Sequence, residues 1–311
     1  MNERIDLPST LIEVAHYYYD ENLSQQEIAD RLNVSRSLIA LYIKKAHDQG
    51  IVRIEIVDPK NNLDGISLRV QKKYELKKVA VVPGAHHSLA LTRRALGSVA
   101  AHFVDEILQD GDIFGLGWGR TMMEMGSLMA PARPKQIDVI PLLGESGCTG
   151  SYTQLNQQVL QIARFYNATP YFLLAPILVG TSSLRDALLQ DATALQVVKR
   201  WENLQVACVG IGSFPPAEGQ VIYTGEENTA KLVQLDAVGD ICARYFDSQG
   251  NFINAEQNDR MIGVSLFQLQ KARHVVAVAG GAEKAIAVAG ALRTHLITDL
   301  VIDESLAQLL I

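Results

Sequence analysis

The sequence predicts an α/β protein in two parts, a short N-terminal unit of helices and a larger domain with helices on both faces of a mostly parallel sheet. Three observations carry this. The first sixty residues hold capped helices separated by a tight turn, the chain from Val79 onward alternates apolar strand-like runs with amphipathic helices, and several of those runs end in glycine-rich turns.

The bulk properties fit. The chain has 311 residues, 48% hydrophobic and 20% charged, enough for a full core and more than one domain. The formal charge of −6 argues against indiscriminate nucleic-acid binding and leaves room for a local basic face. Cys148, Cys208 and Cys242 lack C-x-x-C spacing, so they imply neither a disulfide framework nor a zinc site, and no metal or cofactor is expected. Met1 to Thr10 lacks the basic and apolar regions of a signal peptide, and Phe172 to Gly180 is too short to span a bilayer, so a cytoplasmic protein without a membrane partner is expected.

In the N-terminal unit, Leu11, Val14, Ala15 and Tyr18 recur at helical spacing over Thr10 to Tyr19, with Ser9 as N-cap. Ser24 and Glu27 form a capping box ahead of Ile28, Ala29 and Leu32. Asn33-Val34 makes a turn, Ser35 caps a third helix, and Gly50 stops it. Two short helices across a tight turn form a helix-turn-helix, and Ile51 to Val57 alternates as a wing strand should. In that geometry Arg36, Ser37 and Tyr42 face base edges, while Ser35, Lys44 and Lys45 suit phosphates. The rival is a helical dimerisation or docking module, since acidic residues outnumber basic ones here. The concentration of basic residues on the third helix favours DNA.

Asp58-Pro59-Lys60 marks a hinge, giving a winged unit over 1–58, a linker helix over 59–78 and a large domain over 79–311. The stripe Leu63, Ile66, Val70 and Tyr74 either packs on the large domain, or forms a dimer seam, or does both. Strands are expected at Val79 to Val82, Ile113-Phe114, Ile137 to Leu143, Tyr171 to Leu174, Gln205 to Ile211, His274 to Ala279 and Leu296 to Ile302. Helices are expected at Ser88 to Leu108, Met122 to Ala130, Thr153 to Phe165, up to Trp201, Asp259 to Gln270, Glu283 to Leu292 and from Glu304. The layout is Rossmann-like, and ligands in such sheets bind at the carboxyl ends of the strands.

Those ends are rich in anion partners. Gly115-Leu116-Gly117-Trp118-Gly119-Arg120-Thr121 reads as strand, glycine loop and helix start, where free N–H groups and the positive dipole end favour an anion. The spacing G-x-G-x-G-x-T is neither a dinucleotide fingerprint nor a nucleotide-triphosphate loop, and alone it is equally a tight connection. Gly144-Glu145, Gly210 with Gly212-Ser213, Gly280 to Lys284, and Gly180 to Arg185 join it around one edge, which makes a phosphate pocket the better reading. Asp240 and Arg244, read as one helical turn apart, either hold a sugar hydroxyl and a phosphate or pair with each other. Lys284 at a helix start opposes the dipole unless an anion is present.

Taken together, Leu23 to Ala29 including Gln25, Ser35-Arg36, Gly50 to Val52, Gly117 to Thr121 and Gly239 to Ile241 resemble the signatures of the SorC family of bacterial sugar-responsive transcriptional regulators, over nearly the whole chain. The resemblance implies a winged helix-turn-helix joined to an effector domain related to sugar-phosphate isomerases and deaminases. It implies operator DNA and a phosphorylated sugar or polyol as partners, and a homo-oligomer, dimer or tetramer. By the same resemblance Gly117, Gly119, Thr121, Arg185, Gly212, Ser213, Asp240, Arg244 and Lys284 fall where family members contact their effector.

Two other classes compete. An isomerase or deaminase would use the same phosphate loop, but where deaminases carry an Asp-Gly-His run this chain has Gly212-Ser213-Phe214-Pro215-Pro216. Asp240 and Glu145 lack a nearby histidine to move protons with them, so no catalytic residue is assigned. A sugar-binding protein without DNA affinity is the third class. The reading adopted is a regulator in which effector binding shifts the population of two domain packings.

Overall fold

The computed structural model describes residues 7–52, 63–84, 88–146, 154–215 and 226–311. The chain divides into two compact units, Met1–Lys60 and Asn61–Ile311. The expected wing strand from Arg53 onward, the Asp58 to Asn62 hinge, Gly147-Cys148 and Pro216 lie outside the described residues.

In the first unit, α1 (Leu7–Ala15) runs into one π-helical turn (His16–Asp20). Ser9 is therefore inside α1 rather than its cap; Pro8 fits the first turn, where its missing N–H loses no partner. Helix α2 (Gln25–Leu32) opens on the capping box: Ser24 Oγ accepts from the Glu27 N–H, and the Glu27 carboxylate accepts from the Ser24 N–H at 2.8 Å. That bond holds the Glu27 carboxyl below its ordinary pKa. Asn33 ends α2 in the left-handed conformation at φ 52°, and Ser35 caps α3 (Arg36–Asp48) by accepting from the Leu38 N–H. Leu11, Val14, Ile28, Ala29, Ile39, Ile43 and Ala46 meet in a separate small core.

In the second unit, α4 (Leu63–Lys73) buries Val70 against β1 (Lys78–Val82), so the stripe packs on the large domain. Then follow α5 (Leu89–Ile107), β2 (Ile113–Leu116), α6 (Arg120–Leu128), β3 (Asp138–Pro141), α7 (Leu155–Tyr166) and β4 (Thr169–Pro170). The expected strand at Tyr171 to Leu174 is not formed; pairing stops at Pro170, and Leu173 is held instead by the Asn156 side chain at 3.0 Å. The helix up to Trp201 is two, α8 (Ser182–Gln190) and α9 (Ala192–Trp201), because Asp191 turns the chain and caps the second.

Strand β5 (Val206–Gly210) leads into an antiparallel trio that the alternation did not predict: β6 (Gly212–Ser213), β7 (Ala237–Ile241) and β8 (Arg244–Asp247), with α10 (Glu226–Gln234) between β6 and β7. The expected helix from Asp259 is a 3₁₀ turn (Glu256–Arg260) and a short α11 (Leu266–Gln270), which Ser265 and Gln268 start with a second capping box. Strand β9 (His274–Ala279), α12 (Ala285–Arg293), β10 (Asp299–Asp303) and α13 (Glu304–Leu310) close the chain.

The main sheet has seven parallel strands in the order β1-β10-β9-β5-β2-β3-β4. Its central strands are continuous apolar runs, Val206 to Val209, Val275 to Ala279 and Leu300 to Ile302, because helices cover both faces. Helices α5, α6 and α7 pack side by side, and because the chain runs in opposite directions along the two halves of the sheet, the right-handed rule for crossovers sets α12 on the other face. From β2 the chain proceeds outward through β3 and β4. From its neighbour β5 it proceeds the other way, through β9 and β10. The switch point therefore lies between β2 and β5, and a crevice is expected beyond their carboxyl ends.

Candidate functional site

The glycine loop lies at that switch point. The Gly117 N–H donates to the Cys208 carbonyl at 2.8 Å, and a side chain on Gly210 would meet the Trp118 carbonyl oxygen at 3.4 Å, so the ends of β2 and β5 are in close apposition. Gly119 has φ +131°, a conformation that side chains rarely adopt, and from there the chain enters α6 with Arg120 and Thr121 as its first residues. Gly119 at the N-cap has no side chain with which to cap α6, whose first N–H groups have no partner within the helix.

Lys284 comes in from the end of β9. Its Nζ donates to the Ile211 carbonyl at 2.9 Å, directly after β5. Burial lowers its pKa; Arg120 and Arg93 push it the same way, against Asp240 and Glu283. Three cations, Lys284, Arg120 and Arg93, and two carboxylates, Asp240 and Glu283, thus share one region.

Asp240 is 7% exposed and accepts from the Ala243 N–H at 3.0 Å. Burial pushes its carboxyl up to about 6, against the pull of the Ala243 bond and of Lys284. Asp240 and Arg244 are not one helical turn apart: β7 and β8 form a hairpin in which Ile241 pairs with Arg244 and Asp240 with Tyr245. Cys242 and Ala243 make its two-residue turn at φ 49° and 55°, both left-handed. The two charges do not pair with each other. Arg244 reaches the Asn258 carbonyl at 3.4 Å and Met261 Sδ at 3.6 Å, and has no ion pair among the described residues. Burial lowers its pKa, and Arg185 nearby lowers it further. Arg185 itself binds Asp186 at 2.7 Å. Ser213 Oγ, on β6 beside β7, is buried without a hydrogen-bond partner.

Three expected site residues serve packing or capping instead. Gly115 is buried within β2, and a Cβ there would collide with Leu142 and Leu204. A Cβ on Gly144 would lie 2.6 Å from the Pro176 backbone. The Glu145 carboxylate accepts from the Leu155 and Asn156 N–H groups at 3.2 and 2.9 Å, which makes it the cap of α7. Conversely, Arg93 was missed. A basic residue in the early turns of a helix opposes the dipole, the same signal that marks Lys284.

On the first unit, Arg36 and Ser37 are exposed in the first turn of α3 and Lys44 is exposed further along, with Lys45 partly covered and Gln25 half-buried at the start of α2. Tyr42 does not face bases: it is 9% exposed and belongs to the small core, so that assignment is corrected. The Ser35 hydroxyl is engaged as the α3 cap. Among the described residues no cluster of His, Cys, Asp and Glu could hold a metal, and no helix is long and apolar enough to cross a membrane.

Comparison with known proteins places both halves. The sugar-binding domain family matches residues 58–311 and the winged helix-turn-helix DNA-binding family residues 16–53. The deoxyribonucleoside regulator of Bacillus subtilis is 30% identical over 302 residues, 96% of each chain. The sorbitol operon regulator of Klebsiella pneumoniae is 28% identical over 305 residues, 97% of each chain. The crystal structure of the full-length sorbitol operon regulator SorC from Klebsiella pneumoniae matches with a TM-score of 0.83 at 27% identity, covering 100% of this chain and 99% of that one. The chain belongs to the SorC family of transcriptional regulators, DNA-binding proteins that carry a sugar-binding domain.

Proposed function

We propose that the protein controls a carbohydrate-utilisation operon in the cytoplasm, as a homo-oligomer, in response to a phosphorylated sugar or polyol. The observation that carries the reading is the Gly117 to Gly119 loop, which leads into the start of α6 with Arg120 and lies against the end of β5, where Lys284 binds the Ile211 carbonyl at 2.9 Å. A phosphate there would gain from the free N–H groups and positive dipole end of α6 and from the nearby Arg120 and Lys284. Gly117, Gly119, Thr121, Gly210 and Gly212 line the phosphate end. Asp240, the Ser213 hydroxyl, Arg244 and Arg185 take the sugar end.

Arg36, Ser37, Lys44 and Lys45 carry the DNA contacts in this reading. The relatives named for a sorbitol operon and for deoxyribonucleosides direct the search to polyol and pentose phosphates. Effector binding favours one packing of the oligomer and so alters operator affinity, and a coupling of about 1–3 kcal/mol changes that affinity roughly 5- to 150-fold.

Thermal melting against phosphorylated sugars and polyols, each beside its unphosphorylated parent, tests the pocket. A ligand at about 100 times its Kd stabilises by roughly 2.7 kcal/mol, a shift of several degrees. Shifts by phosphorylated members alone support the reading; equal shifts by the parents contradict it.

A further inference from the structure

Helix α3 carries two stripes of opposite character. Ile39, Tyr42, Ile43 and Ala46 face inward and are buried. Ser37, Ala40, Leu41 and Lys44, at the same i, i+3, i+4, i+7 spacing, are all exposed. The middle of the outward stripe is apolar, with Leu41 45% exposed.

Cations bracket this apolar centre. Arg36 precedes it and Lys44 and Lys45 follow it, and none of the three has an ion pair among the described residues. The cation of α2 behaves differently: Arg31 binds Glu21 at 3.0 Å and lies 4.3 Å over the Tyr17 ring. An apolar centre between basic ends does not suit a second copy of the same face. A two-fold antiparallel contact would set Arg36 of one copy against Lys44 of the other. It does suit the major groove, where phosphates flank the base edges and one base presents an apolar group, the C5 methyl of thymine.

We propose that Leu41, supported by Ala40, reads thymine methyl groups within the operator half-site and is a specificity-determining residue. The inference rests on α3 being the helix that enters the major groove. Lys44 and Lys45 fix the register on the phosphates, Arg36 stands at the base edges near the start of the helix, and Leu41 discriminates the sequence between them.

The test uses the full chain and a duplex that it selects from a random-sequence pool. Each thymine of that duplex is replaced in turn by deoxyuridine, which removes the methyl and nothing else. At one or two positions the wild type should lose affinity by about fourfold per methyl. Leu41→Ala should bind the thymine and uridine duplexes alike at those positions, so the two changes are not additive. Lys44→Ala should weaken binding to both and lower the salt dependence while keeping the discrimination. A wild type indifferent to every replacement, or a Leu41→Ala variant that keeps the full discrimination, would overturn the proposal. An unchanged affinity and salt slope in Lys44→Ala would overturn the placement of α3 itself, a result distinguishable from failure of the Leu41 assignment.

Discussion

The Asp240 carboxylate occupies the space that a side chain on Gly212 would fill, so the glycine after β5 is what lets the acid sit at the end of the sheet. Gly212→Ala must displace either the acid or strand β6. Overpacking of this kind costs about 1–3 kcal/mol, and the melting temperature should fall by several degrees. Because the acid moves, effector affinity should fall as well. A calorimetric scan with and without effector checks both.

Asp240 also sets a pH dependence. Its carboxyl titrates at about 6 in the folded chain against an ordinary 3.8, so between those values the folded state holds a proton that the unfolded state has lost. Stability from this group is full below pH 4 and is lost as the pH rises through 6. Asp240→Asn keeps an acceptor for the Ala243 N–H and removes the titration. Without effector, the variant should match the wild type near pH 4 and exceed it at pH 7.5 by roughly 2 to 3 kcal/mol. Denaturant unfolding at the two pH values measures the difference, and a constant gap would contradict the assignment.

Lys284 offers a direct probe of the phosphate end. A hydrogen bond to a charged group contributes about 1.5–3 kcal/mol, so Lys284→Gln should weaken a phosphorylated effector by at least roughly tenfold. It should weaken the unphosphorylated parent far less. Calorimetric titration of the pair separates loss of the charge from general damage to the pocket.

Replacement of Arg36 by Ala should lower operator affinity and, by removing a positive charge from the interface, reduce the slope of log affinity against log salt. Tyr42→Phe, inside the small core, should leave that slope unchanged. Fluorescence anisotropy over a salt series reads both variants.

The features legible in the sequence were those set locally. The Ser24–Glu27 capping box, the Ser35 cap and the buried apolar runs of β5, β9 and β10 need only neighbouring residues to specify them. The β7–β8 hairpin was illegible because Cys242 and Ala243 make its turn, and neither is a residue that favours the left-handed region. That conformation costs such residues about 1–2 kcal/mol each and is held by the Asp240 bond to Ala243 and the surrounding core. Tyr42 and Leu41 differ by one step of helical phase, about 100°, and only the packing of α1 and α2 against α3 decided which of them faces out. Glu145 looked like a site acid because the helix it caps begins ten residues later. The cluster of Arg93, Arg120 and Lys284 draws on three distant helix starts that only the sheet order brings together.

The most direct test of the account is operator binding by the full-length protein, titrated with the phosphorylated sugar or polyol that shifts its melt, for wild type and Lys284→Gln in parallel. The account predicts a change in wild-type operator affinity of about 5-fold or more, at concentrations that match effector binding, and no such response in the variant. An operator affinity indifferent to the bound effector, or an equal response in Lys284→Gln, would contradict it.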